Sequence, residues 1–160
     1  MAEHLPSAQR YAGWLAAVRI YTGAFWLIHG AQKIVMGEFA AANGTMVQIV
    51  TQFVSKTSGP YHDFLLSVVL THGMLFGQLV QWGETLAGVS LLLGLLTRAG
   101  GIVGTFLALN YWIAKGSFGN PADYTVYESV AVVLSLLNVV LPTGRVFGLD
   151  GLRLRRSRHR

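Results

Sequence analysis

Four ionisable side chains stand inside long apolar stretches of this sequence: Arg19, Lys33, Glu84 and Glu128. At the centre of a helix in lipid each costs about 2.5–3.5 kcal/mol on insertion scales. Such groups therefore face protein or a water-filled cavity, and they mark ligand, ion or proton sites by default. Their spacing places them on helical faces. Arg19, Gly23, Trp26, Gly30 and Lys33 form one stripe, with His29 at its margin. Gly73, Gly77, Gln81, Glu84 and Gly88 form a second, and Glu128, Ala131, Ser135 and Asn138 a third. Turned inward, these stripes predict that Arg19 neutralises Glu84 at mid-depth and that Lys33 neutralises Glu128 near one surface. Holding the helices together is one use of such pairs. Binding a ligand or moving a proton is the other.

Other chemistry is thin. The chain has no cysteine, which excludes disulfides, thiolate metal sites, iron–sulfur clusters and a cysteine nucleophile. No hydrolytic triad and no metal-ligand cluster is visible, so no catalytic residue is assigned. His29 and His72 are the histidines that haem ligation or a quinone carbonyl would use. A packed or interfacial histidine is the commoner case, and haem is not expected. Gly100, Gly101 and Gly104 lack the strand–turn–helix context of a dinucleotide loop.

The elements that must position these residues follow from composition. Hydrophobic residues make up 52% of the chain and charged residues 12%, against about 25% charged in soluble domains. Too little polar material remains to coat a globule in water, and the lipid bilayer becomes the expected partner. The pattern predicts a single domain over 1–160, an all-α integral membrane four-helix bundle with spans at about 11–35, 72–96, 99–114 and 123–141. Residues 36–63 read as an outer loop, apolar enough from Thr45 to Val54 for a short interfacial helix. The apolar run from Phe64 to Leu96 exceeds the roughly 20 residues a span needs, so it projects beyond the bilayer or breaks near Thr71–Gly73. Gly73, Gly77, Gly88, Gly100 and Gly104 are expected to pack helices, the last two in a small-xxx-small row completed by Ala108.

Six of the twelve Lys and Arg residues lie in the tail 145–160, at Arg145, Arg153, Arg155, Arg156, Arg158 and Arg160. A basic cluster directly after an apolar span reads as a cytoplasmic juxtamembrane tail, not as nucleic-acid binding. With both termini inside, Arg10, Arg98 and the tail arginines face the cytoplasm, while Lys33, Lys56 and Lys115 fall outside. Aromatic residues flank the two interfaces: Tyr11 and Trp14 at one, Tyr111, Trp112, Tyr124 and Tyr127 at the other.

The stretch Trp82-Gly83-Glu84-Thr85-Leu86-Ala87-Gly88, followed by Leu91-Leu92-Leu93-Gly94-Leu95-Leu96-Thr97-Arg98, resembles the second-helix signature of the DoxX/DoxD family. Arg19 followed by Gly23, then His29-Gly30 and Gln32-Lys33, is similar to that family's first helix. Gly144-Arg145-Val146-Phe147-Gly148-Leu149-Asp150 is similar to the ending of its DoxD branch. The resemblance implies a four-helix protein of the bacterial cytoplasmic (inner) membrane. It further implies a DoxD-like small subunit of a thiosulfate:quinone oxidoreductase, which oxidises thiosulfate to tetrathionate and passes electrons to quinone. Arg19, Lys33, Glu84, Arg98, Arg145 and Asp150 are its motif positions here. Lacking cysteine, this chain holds no thiosulfate-derived sulfur on a thiol, and sulfur chemistry belongs to a partner subunit.

The leading expectation is therefore a membrane subunit of a quinone-linked electron-transfer complex, not catalytic alone. Trp26, His29 and Gln81 are the candidate quinone contacts. A non-catalytic accessory subunit of a larger respiratory or photosynthetic complex is the alternative. A small-solute or proton transporter ranks last, because no inverted repeat is evident.

Overall fold

The structure is a computed structural model that describes residues 11–117 and 127–151. Arg10, the start of the fourth expected span with Tyr124, and the tail arginines from Arg153 onward lie outside the described residues. All regular structure among the described residues is helical. The helices are α1 (Ala12–Met36), α2 (Thr45–Val54), α3 (Gly59–Phe64), α4 (Gly73–Leu93), α5 (Thr97–Ala114) and α6 (Glu128–Val140). A π-helical turn, Leu65–Val69, extends α3, and a 3-10 turn, Thr143–Arg145, follows α6.

Local chemistry sets the ends. Helix α1 stops at Gly37, whose φ of 71° suits a residue without a β-carbon, and the Gly37 amide caps back onto the Ile34 carbonyl. Helix α4 ends the same way at Gly94. Pro60 sits in the first turn of α3, where its missing N–H is no loss. After the π-turn the chain bends by 104° into α4, across the Leu70-Thr71-His72 stretch of the long apolar run. Pro142 lies just beyond α6, where the helix could not continue.

Helices α1 and α4 form the most extensive pair, α6 packs on α5, and α4 bridges to α5. The first pair is antiparallel and approaches backbone to backbone. A side-chain carbon on Gly88 would overlap the Leu27 backbone, one on Gly23 the Leu92 amide, and one on Gly30 the Thr85 amide. Gly100 abuts Ser90, Gly104 abuts Trp26 and Ser135, Gly77 abuts Ala40, and Gly73 abuts Val47. Helix α2 does not display its apolar side outward as a purely interfacial helix would. Met46 and Val50, one turn apart, are buried against Phe39, Leu65 and Val69, closing one end of the long-helix assembly.

Polarity is arranged inside out. Arg19 is 0% and Glu84 1% exposed, whereas Leu86 is 62% and Phe106 65% exposed. The buried faces of α1, α4 and α6 run along the expected stripes, including Gly23, Trp26, Gln81, Glu84, Ser135 and Asn138. No single helix among the described residues is long and apolar enough to cross a membrane, and Gly59–Val69 with Gly73–Leu93 reaches the length and composition of a span only with its two bent arms taken together.

Candidate functional site: a cavity between two buried lysine–carboxylate pairs

A cavity of about 730 Å³ lies between the long helices and the α2–α3 cap. Its walls are largely aromatic and aliphatic, with Phe25 and Trp26 from α1, Phe39 from the following loop, Phe76 from α4 and Phe106 from α5. Lys33, Glu84, Tyr111, Lys115, Glu128 and His29 also line it. That combination of an apolar slot and a few convergent polar groups is the usual form of a small-molecule site.

The ion pairs differ from those expected. Arg19 does not meet Glu84, and Lys33 does not meet Glu128. Lys33 Nζ, from the last turn of α1, instead donates to both oxygens of Glu84 at 2.5 Å and to the Tyr111 hydroxyl at 3.1 Å. The Tyr111 hydroxyl donates to Glu84 Oε1 at 2.6 Å. The Lys33 ammonium also stands 5.0 Å from the Phe39 ring centre and 5.2 Å from that of Tyr111, near enough for cation–π attraction. The second pair joins Lys115, just past α5, to Oε1 of Glu128, the first residue of α6.

The register of α1 against α4 is the physical reason. Gly23 touches Gly88 and Leu92, and Gly30 touches Gln81 and Thr85. Arg19 therefore falls opposite the end of α4, and Lys33 is the α1 cation within reach of Glu84. The Arg19 guanidinium donates to the carbonyls of Leu91 at 2.6 Å, Leu92 at 3.0 Å and Phe147 at 2.9 Å. It thus supplements the Gly94 amide at the Leu91 carbonyl and supplies a donor to the Leu92 carbonyl, at the negative end of the α4 dipole. It also ties the loop after α6 to α1, and it does not line the cavity.

The remaining candidates divide in the same way. Trp26 lines the cavity with its ring and donates Nε1–H to Ser135 Oγ at 3.0 Å. His29 lines it as well, and its Nδ1 donates to the Phe25 carbonyl at 2.8 Å. A neutral His29 therefore carries an acceptor, not a donor, at Nε2. Gln81 corrects the expectation of a quinone contact: it is absent from the cavity wall, and its amide donates to Gln78 Oε1 at 2.7 Å. His72 lies at the α4 start, bonded to the Val68 carbonyl, and shares no cavity with His29. At the opposite end of α5, Asp150 accepts from the Leu96 and Thr97 amides at 2.9 and 3.0 Å and from the Thr97 hydroxyl at 2.9 Å, capping that helix across the chain. Arg98 and Arg145 flank it around a smaller cavity of about 360 Å³.

Two site residues escaped the reading of the sequence, Tyr111 and Lys115. Tyr111 was placed among interface aromatics and Lys115 among outer-loop cations, yet the first completes the Glu84 cluster and the second holds Glu128. A signal was present: the row Gly100, Gly104, Ala108 continues at the same three- and four-residue spacing to Tyr111 and Lys115.

No curated protein and no solved structure matches the chain. The family model described as TQO small subunit DoxD matches residues 14–160, a span that includes the Arg19, Lys33, Glu84 and Asp150 positions, and the chain belongs to the DoxD family.

Proposed function

We propose that this chain is the membrane-embedded small subunit of a quinone-linked oxidoreductase of the thiosulfate:quinone type, and that the cavity receives the quinone ring. The observation that carries the reading is the cavity itself, which sets aromatic walls beside buried lysine–carboxylate pairs. It has the size and polarity of a site for a flat, mainly apolar ring with polar edges. Trp26, Phe25 and Phe106 would hold the ring faces, with the Lys115 ammonium as donor to a ring oxygen and Glu128 and His29 as acceptors beside it. The quinone supplies two-electron redox capacity. This chain, lacking cysteine, supplies the pocket and its protons, while the sulfur chemistry and the electron donor reside in a partner subunit.

Inverted polarity supports a lipid-embedded four-helix arrangement of α1, α4, α5 and α6. Leucines face outward and charges inward, as expected where the solvent is hydrocarbon. At about 1.5 Å per residue, the 25 residues of α1 and 21 of α4 reach about 37 and 31 Å, against a hydrocarbon core near 30 Å. The positive-inside pattern supports an orientation with Arg98, Arg145 and the tail on the bacterial cytoplasmic side and the cavity toward the outer side.

The test is quinone retention. The tagged chain, purified in mild detergent, should carry close to one extractable quinone. The cavity-filling variant Ala131→Trp should remain folded but lose it. A folded wild-type chain that neither retains quinone nor takes up added decylquinone would overturn the site. Co-purification with a large complex would then favour the accessory-subunit reading.

A further inference from the structure

We infer that Glu128 Oε2 is the acceptor for a ligand hydroxyl, so that this end of the cavity takes the hydroquinone form of the ring and holds it by its O–H. The inference rests on the reading of the cavity as a quinone site and names the form and the contact. Glu128 is 2% exposed and lines the cavity. Its Oε1 accepts from Lys115, yet Oε2, equally buried, has no hydrogen-bond partner among the described residues. Lys115 is held elsewhere as well, with Nζ 4.9 Å from the Tyr127 ring centre. Buried carboxylate oxygens are seldom left without a donor, and what is missing here is a donor.

Glu84 sets the contrast, since both its oxygens accept bonds from Lys33 and Oε1 also from Tyr111. Both oxygens of Glu84 thus already have a donor, as Glu128 Oε2 does not. Glu128 is the first residue of α6, but the helix supplies Oε2 with no N–H. His29 adds no donor either, because its Nδ1–H is spent on the Phe25 carbonyl. A fully oxidised quinone presents two carbonyls and no hydrogen, and so leaves Oε2 as it is. A hydroquinone presents two hydroxyls, either of which makes a charge-assisted bond there.

The experiment is a Trp-fluorescence titration of the full chain in detergent micelles, under argon, with decylhydroquinone and with its dimethyl ether. The ether keeps ring and tail, replaces each hydroxyl hydrogen with a methyl group and so removes both donors. The wild type should bind the hydroquinone about tenfold more tightly than the ether, the ratio one charge-assisted hydrogen bond confers. Glu128→Met should keep the ether affinity, which shows that the pocket is intact, and bring the two ligands within about twofold of each other. Equal affinities in the wild type would overturn the inference and leave the quinone site standing, and that comparison decides alone should Glu128→Met not fold. A ratio that survives in Glu128→Met would place the acceptor elsewhere and overturn it too. Failure of both ligands to bind the folded wild type would remove the quinone site and this inference with it.

Discussion

Glu84 and Glu128 invite direct comparison. They are 1% and 2% exposed, each is paired with a lysine, and both line one cavity. They differ in how many donors surround them. Glu84 is enclosed by Lys33 and Tyr111, which reach both of its oxygens. Glu128 is met at one oxygen, and the other, buried, has no donor among the described residues. Burial and charge pairing therefore do not separate the two carboxylates, whereas the count of donors does. On that count Glu84 closes the helix packing, and Glu128 is the carboxylate proposed to meet a ligand.

Breaking the closed cluster should cost most. In Glu84→Leu the half-buried Lys33 loses its counter-charge and Tyr111 its acceptor, for a loss of about 3 kcal/mol, read as a fall in folded yield and in unfolding midpoint in mixed micelles. The double variant Lys33→Met/Glu84→Leu should recover most of that loss, because a buried pair replaced by apolar groups of similar volume is often neutral. Arg19→Met should cost about 3 kcal/mol by leaving the Leu92 and Phe147 carbonyls without their donor and the Leu91 carbonyl with the Gly94 amide alone. The loop after α6 should then become accessible to limited proteolysis at Val146–Phe147. Tyr111→Phe should cost about 1 kcal/mol, one hydrogen bond, since Lys33 still neutralises Glu84. Glu128→Met should be the mildest for stability, under about 1 kcal/mol, because Lys115 is 31% exposed and can turn its ammonium to water. If Glu128→Met proved as damaging as Glu84→Leu in the same unfolding assay, the distinction between the two carboxylates would be lost.

Much of this was legible in the sequence because it depends on one helix at a time. The stripe Glu128, Ala131, Ser135 and Asn138 is the buried face of α6, as helical periodicity alone dictates. Thr45–Val54 is helical, and the long apolar run bends between Val69 and Gly73. The pairing of charges was not legible, because it depends on register between helices. Periodicity says that Arg19 and Lys33 share a face, but only the Gly23–Gly88 and Gly30–Thr85 approaches decide which meets Glu84. Tyr111 and Lys115 were obscured by a different rule. Aromatic and basic residues near a helix end suit a membrane interface so well that their continuity with the Gly104–Ala108 row carried no weight. The role of Asp150 depends on a loop folding back across α5, which no local pattern encodes.

The most direct test of a ring site in this cavity is photoaffinity labelling of the detergent-purified chain with an azidoquinone, followed by peptide mapping. Labels are expected on cavity-wall residues of α1 and α5, Phe25 and Phe106 among them, and should be displaced by unlabelled decylquinone. Undisplaced labelling spread over the outward leucines, such as Leu75 and Leu86, with none on the cavity wall of α1, would contradict a quinone site between the two lysine–carboxylate pairs.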